Sequence, residues 1–212
     1  MKPYFGAGWL YAVFLVAGIS AGAQAQESYF YDQPYKTRSN GTFAKGRQIF
    51  SFGYGLGNIS GTGYLNINLD EKISHTNIGP LYLKYEYGLA DEIGLGVWGA
   101  YAYSKDVMNR AHPKEHYTNA VSFGINGFYH FNKIISVENL DLYAGLGFGF
   151  KSVSVRSQPS DGSAAASKVS DNAGIFSLRL GARYYIIKGF GAFFEFGPDK
   201  MSVLNTGISY RW

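Results

Sequence analysis

From Gln48 onward the chain repeats one pattern: a short stretch in which every second side chain is apolar and uncharged, closed by turn residues. The period predicts strands at about 48–57, 81–89, 93–104, 121–131, 140–152, 175–186, 190–197 and 204–212. Because successive side chains of a strand point to opposite faces, each segment has one face that can be read separately from the other. The first is uncharged and rich in aromatics: Phe50, Phe52 and Tyr54; Leu81, Leu83, Tyr85 and Tyr87; Leu146, Phe148 and Phe150; Phe176, Leu178 and Leu180; Phe190, Phe194 and Phe196. The second carries Lys84, Glu86, Asp141, Lys151, Arg179, Arg183, Glu195 and Arg211, together with many glycines.

That division chooses between two kinds of barrel. A soluble ligand-binding barrel is apolar inside and polar outside. Here the uncharged face is the bulky aromatic one, and the charged face is crowded with small residues that suit a narrow interior. Arg or Lys on a lipid-facing position at mid-membrane costs ~2–4 kcal/mol, so hydrocarbon excludes them while a lumen tolerates them. Closure into a barrel also leaves no unpaired strand edge in the bilayer. The expected fold class is all-β: an eight-stranded antiparallel up-and-down transmembrane β-barrel.

Composition agrees. Glycine numbers 28, aromatics make up 17% and charged residues only 16%, a profile foreign to a soluble α/β enzyme. There is no cysteine, which excludes thiolate metal sites, thiol catalysis and a disulfide framework. The net charge of +4 is too small and dispersed to argue for nucleic acid. Residues 1–25 read as an export signal: Lys2, an apolar run from Trp9 to Ile19, and Ala23-Gln24-Ala25 as the cleavage site. The run falls well short of the roughly 20 residues that a spanning helix needs. Residues 26–47 lack clean periodicity and are expected to be a periplasmic tail or plug, with the barrel over 48–212.

Short links at Ala90–Glu92, Asn132–Asn139 and Ile187–Gly189 alternate with longer ones near 58–80, 105–120 and 153–174; only Pro198–Val203 is brief on the long side. Short periplasmic turns and long external loops are the asymmetry expected of such barrels. Tyr87, Tyr129, Phe131, Tyr184, Phe190, Tyr210 and Trp212 would form the periplasmic aromatic girdle, and Tyr101, Tyr103, Phe148 and Phe150 the external one.

The stretch Asn205–Trp212 resembles the carboxy-terminal assembly signal of bacterial outer-membrane barrels, with Asn205, Gly207, Tyr210 and Trp212 in its places. With eight such strands, the chain from Gln48 resembles the small outer-membrane barrel family typified by OmpX, OmpW and the OmpA membrane domain. The resemblance implies an outer-membrane location in a diderm bacterium, a monomer, contact with outer-membrane lipid and lipopolysaccharide, and insertion by the outer-membrane assembly machinery. No cofactor is implied, and no tethering domain is expected after Trp212.

Four features could carry function. Lys84, Glu86, Asp141, Lys151, Arg179, Arg183, Glu195 and Arg211 would meet inside the barrel, as an anion-leaning conduit or as a plug. Eight strands enclose room only for side chains or one small ligand, and Trp98, Phe128, Tyr143, Tyr185 and Phe193 also point inward, so a plug is favoured. His112-Pro113-Lys114-Glu115-His116 is an incomplete zinc set, interrupted by proline, and reads as a solvated loop. Catalysis would need a serine, histidine and acid close together, and neither Ser122, His130 nor the loop residues Asp70, Glu71 and His75 offers such a set. The long loops suit surface interaction. The expected role is non-enzymatic, structural or surface-interactive, with a narrow channel or hydrophobic-compound conduit as the first alternative and a lipid-modifying enzyme as the second.

Overall fold

The computed structural model describes residues 42–62, 72–108, 114–135, 137–159 and 167–212. The export-signal reading of 1–25 lies outside them, as do 26–41, His112 and Pro113, and much of the first and third long loops. Eight strands follow in order: β1 (Gln48–Leu56), β2 (Lys72–Gly88), β3 (Ile93–Met108), β4 (Lys114–His130), β5 (Leu140–Pro159), β6 (Ser167–Ile187), β7 (Phe190–Phe196) and β8 (Leu204–Arg211). Each pairs antiparallel with its neighbours in sequence, and β1 pairs with β8, closing the barrel. At the seam, Gln48 and Trp212 exchange both backbone hydrogen bonds, at 3.2 and 3.1 Å.

The alternation fixes which way each side chain points. Arg179 is 1% exposed, while Leu178 and Leu180 on either side of it are 57% and 56% exposed. Similarly Glu195 lies buried between the exposed Phe194 and Phe196. An apolar surface of this extent, wrapped around a cylinder, would aggregate in water and is the surface that hydrocarbon requires. The turn-end girdle has ring contacts of its own: Tyr129 with Phe131 at 5.2 Å, Phe190 with Tyr210 at 4.4 Å, and Tyr210 with Trp212 at 5.5 Å between centroids.

Two expectations need correcting. The strands run further toward the loop end than the period suggests: β2 starts at Lys72 instead of about 81, β4 at Lys114 instead of 121, and β6 at Ser167 instead of 175. β3 and β5 likewise end at Met108 and Pro159. In these extensions the inward positions that are buried are polar or small, as Ser104, Asp106, Thr118 and Ala120 are. The outward ones are no longer regularly bulky and apolar, so the aromatic alternation fades while the backbones still pair. His75 and His116 therefore sit on strands and not in loops.

The other correction concerns the brief link Pro198–Val203. It folds inward: Asp199, Met201 and Ser202 are all fully buried. β7 and β8 are the shortest strands, so the link joining them sits low, inside the rim made by the longer ones. Met201 packs there with Tyr82, Trp98, Ala100, Ala102, Ala120 and Ile175 in an apolar layer at the loop end of the lumen.

Candidate functional site

The lumen is the candidate site, and its ionic groups form two linked clusters. Near mid-barrel, Lys84 Nζ donates to Glu195 Oε2 at 2.5 Å, and Arg179 Nη1 donates to the same oxygen at 3.0 Å. The other arm of Arg179, Nη2, donates to Asp199 Oδ2 at 2.7 Å. Asp199 is held from three further directions, accepting from the backbone N–H of Met201 and of Ser202 at 2.9 Å each and from the Tyr82 hydroxyl at 3.0 Å. Two cations thus face two carboxylates.

Toward the turn end, Arg183 Nη2 donates to Glu86 Oε2 at 2.6 Å and Nη1 to Asp141 Oδ2 at 3.2 Å. His130 completes the ring, with Nε2 2.6 Å from Glu86 Oε1 and Nδ1 2.7 Å from Asp141 Oδ1. Tyr143 joins the clusters: its hydroxyl donates to Glu195 Oε1 at 2.8 Å, and the Arg183 guanidinium lies 4.1 Å from its ring centroid. Gly181 makes room for that phenol, because a Cβ there would collide with the Tyr143 ring. Burying ions costs several kcal/mol each unless they are paired and hydrogen-bonded. Here each carboxylate accepts from at least one arginine and has a further polar partner on its other oxygen.

The turn mouth is closed by residues upstream of β1. Phe43 is 1% exposed and stacks on His130 with 3.5 Å between centroids and 5° between planes. The Thr42 hydroxyl donates to the Leu140 carbonyl at 3.1 Å, and Arg211 Nη1 donates to the Thr42 carbonyl at 2.7 Å. So Thr42 and Phe43, at the described end of the aperiodic segment, plug the turn mouth, while Lys45 and Gly46 beside them are exposed. The plug's sequence signal is faint, a lone aromatic among polar residues.

Of the charged residues read as luminal, Lys84, Glu86, Asp141, Arg179, Arg183 and Glu195 come together. Lys151 does not: it is half-exposed at the loop end and donates to the Lys200 carbonyl at 2.8 Å. Arg211 holds the plug and stacks over Tyr185 at 3.8 Å, apart from both clusters. His130 and Asp199 are the members that charge counting on the strands missed. Parity does place His130 inward, in phase with Phe128, but as a catalytic candidate and not as a partner of the charges; Asp199 lies outside the periodic segments.

Other candidates are more loosely placed. Ser122 is buried on β4, with its hydroxyl unpaired among the described residues. Ser157 Oγ lies 3.1 Å from His116 Nδ1 on the half-exposed loop-end wall. His75 Nδ1 lies 2.5 Å from Asp106 Oδ1 on adjacent strands. Among the described residues, no set of three His, Asp or Glu side chains is arranged so as to hold a metal ion.

The closed sheet, the apolar outer belt and the ionic interior define the class: a small eight-stranded transmembrane β-barrel of the outer-membrane type. Solved structures of that type match the chain. Ail of Yersinia pestis, solved with the heparin analogue sucrose octasulfate, matches at a TM-score of 0.48 and 14% identity, covering 79% of this chain and 99% of Ail. The N-terminal barrel domain of OprF from Pseudomonas aeruginosa matches at 0.38 and 12%, covering 80% and 98%. OprG from the same organism matches at 0.38 and 12%, covering 82% and 98%. No protein-family model and no curated protein sequence matches the chain. The likeness is one of fold alone, and function has to be argued from this barrel's own residues.

Proposed function

We propose that the protein is a non-enzymatic barrel of the outer membrane of a diderm bacterium, whose role lies on its loop end and outer surface and not in conduction. Residues 1–25 direct export, and Asn205, Gly207, Tyr210 and Trp212 are read by the assembly machinery. The barrel stands as a monomer in outer-membrane lipid and lipopolysaccharide, with its short turns facing the periplasm. The observation that carries the reading is the filled lumen. Phe43, the Arg183 cluster, the Arg179 cluster and the Met201 layer follow one another from the turn end to the loop end. Opening a continuous path would mean separating ion pairs in a space that cannot hydrate them well, which costs several kcal/mol per ion.

Purified protein reconstituted in planar bilayers should show no stepwise conductance across a range of voltages. Discrete conductance steps from the unmodified protein, changed in size by Arg183→Ala, would overturn the closed-barrel reading in favour of a narrow channel.

A further inference from the structure

On the outside of the barrel, Arg156 of β5 and Lys168 of β6 are direct partners in the ladder, and both are exposed. Like charges directly opposite one another destabilise a sheet. None of the ion pairs among the described residues includes either. Glu115, one row further out on β4, is already engaged: Lys105 Nζ lies 2.8 Å from Oε1, and Oε2 accepts from the Tyr117 hydroxyl at 2.6 Å and from Gln158 Nε2 at 3.3 Å. Two neighbouring cations are thus left facing outward.

Beneath them the same outward lane changes character in order. Ser154 faces Ser170, then Ser152 faces Asn172, then Phe150 faces Gly174, then Phe148 faces Phe176. Gly174 opens the lane at its apolar end, because no heavy atom lies within 4 Å of where its Cβ would stand. The result is a groove of about 770 Å³ whose lining includes Phe123, Ile125, Phe148, Phe150, Gly174 and Phe176. Cations, then hydroxyl and amide groups, then an apolar trough is the order of parts in a lipid: anionic headgroup, polar backbone, acyl chain.

We propose that this lane binds one phosphorylated lipid of the surrounding leaflet, with its phosphate on Arg156 and Lys168 and an acyl chain in the groove beside Gly174. The proposal rests on the reading that the barrel sits in a bilayer. The vertical scale fits. Six residues from Phe150 to Arg156 span ~20 Å of strand, or ~15 Å along the membrane normal at a tilt of about 40°. Long basic side chains snorkel back toward a headgroup layer ~5–8 Å deep. A soluble polyanion would meet the cations but leave the groove unfilled; a lipid engages both.

The test is native mass spectrometry of the full protein released from micelles holding equal amounts of lipid A and its dephosphorylated form. The unmodified protein should retain one phosphorylated lipid per chain, with roughly tenfold preference over the dephosphorylated form, the factor expected of a charge-assisted contact. Excess inorganic phosphate should leave that adduct in place. The double variant Arg156→Gln/Lys168→Gln should lose the preference while still binding either lipid weakly. Gly174→Phe, which enters open space, should reduce retention of both lipids without altering the heat-dependent gel mobility of the folded barrel. Should the double variant not fold, Lys168→Gln alone serves, with a partial loss of preference. Equal retention of the two lipids by the unmodified protein, displacement by inorganic phosphate, or an undiminished preference in the charge variants would overturn the proposal. A protein that fails to enter micelles or bilayers at all would strike the membrane reading, whereas an inserted barrel indifferent to phosphate would strike only the lipid site.

Discussion

The two ionic clusters of the lumen solve the same problem with different margins. Around Arg179, every anion has more than one support: Glu195 is shared by Lys84, Arg179 and Tyr143, and Asp199 also takes two backbone N–H groups and the Tyr82 hydroxyl. Around Arg183, two carboxylates divide one guanidinium, and the fourth place is taken by an imidazole pressed under Phe43. The first cluster is built with redundancy. The second depends on a single arginine and on residues outside the strands. Redundancy follows from where the partners come from: the inward-folded link brings backbone donors to Asp199, while the turn end has only side chains to offer.

The largest effect should come from testing that asymmetry directly. Arg183→Met leaves Glu86 and Asp141 buried beside each other with His130 alone between them, and should cost ~3–5 kcal/mol in urea unfolding from lipid vesicles. Arg179→Met leaves Lys84 and Tyr143 on Glu195 and the backbone donors on Asp199, so its cost should be nearer ~2 kcal/mol, the range of a lost charged hydrogen bond. Equal costs, or the reverse order, would break the comparison.

A smaller effect should follow from Phe43→Leu. Leucine keeps much of the buried area but loses the ring stack on His130, so ~1 kcal/mol is expected in the same measurement. The loss should grow in a background already carrying Arg183→Met, because His130, which Phe43 covers, is then the partner left to both Glu86 and Asp141. Full additivity would show that the plug and the cluster act independently.

The smallest effect belongs to the wet wall at the loop end, where ion pairs have little to offset. Glu115 has its carboxyl lowered to about 2, first by the hydrogen bond from Lys105 and then by that from Tyr117. A depressed folded value stabilises above the ordinary carboxylate range and is lost as pH falls toward 2. Because the pair is exposed, solvent screens it and the stability change should be slight. The titration midpoint followed by carbon NMR should rise toward an ordinary glutamate in Lys105→Met.

The barrel was legible because hydrocarbon and lumen impose opposite demands on alternate residues. Leu178-Arg179-Leu180 could hardly be read otherwise. Legibility ended where that contrast ended. Beyond Phe150 the outward face of β5 turns polar, with Ser152, Ser154 and Arg156, while Val153 and Val155 take the other face. The aromatic signal stops there although the backbones stay in the ladder. Asp199 was hidden for a different reason: a side chain on a link has no parity, and only the shortness of β7 and β8 hinted at how deep that link would lie. Lys151 and Arg211 had the right parity and the wrong height. Parity gives the side of a wall, not the level, and ion pairs need both.

The exchange of hydrogen bonds between Gln48 and Trp212 joins segments lying almost the whole barrel sequence apart. Every other pairing joins neighbours in the chain and can form as a hairpin, but this one has to wait for all the rest. Until it forms, two strand edges stay open to any passing peptide, and contacts of such separation are slow to make. Folding of this molecule is therefore a zipper with a clasp: seven teeth can engage in turn, and the ring is safe from misplaced partners only when the clasp shuts.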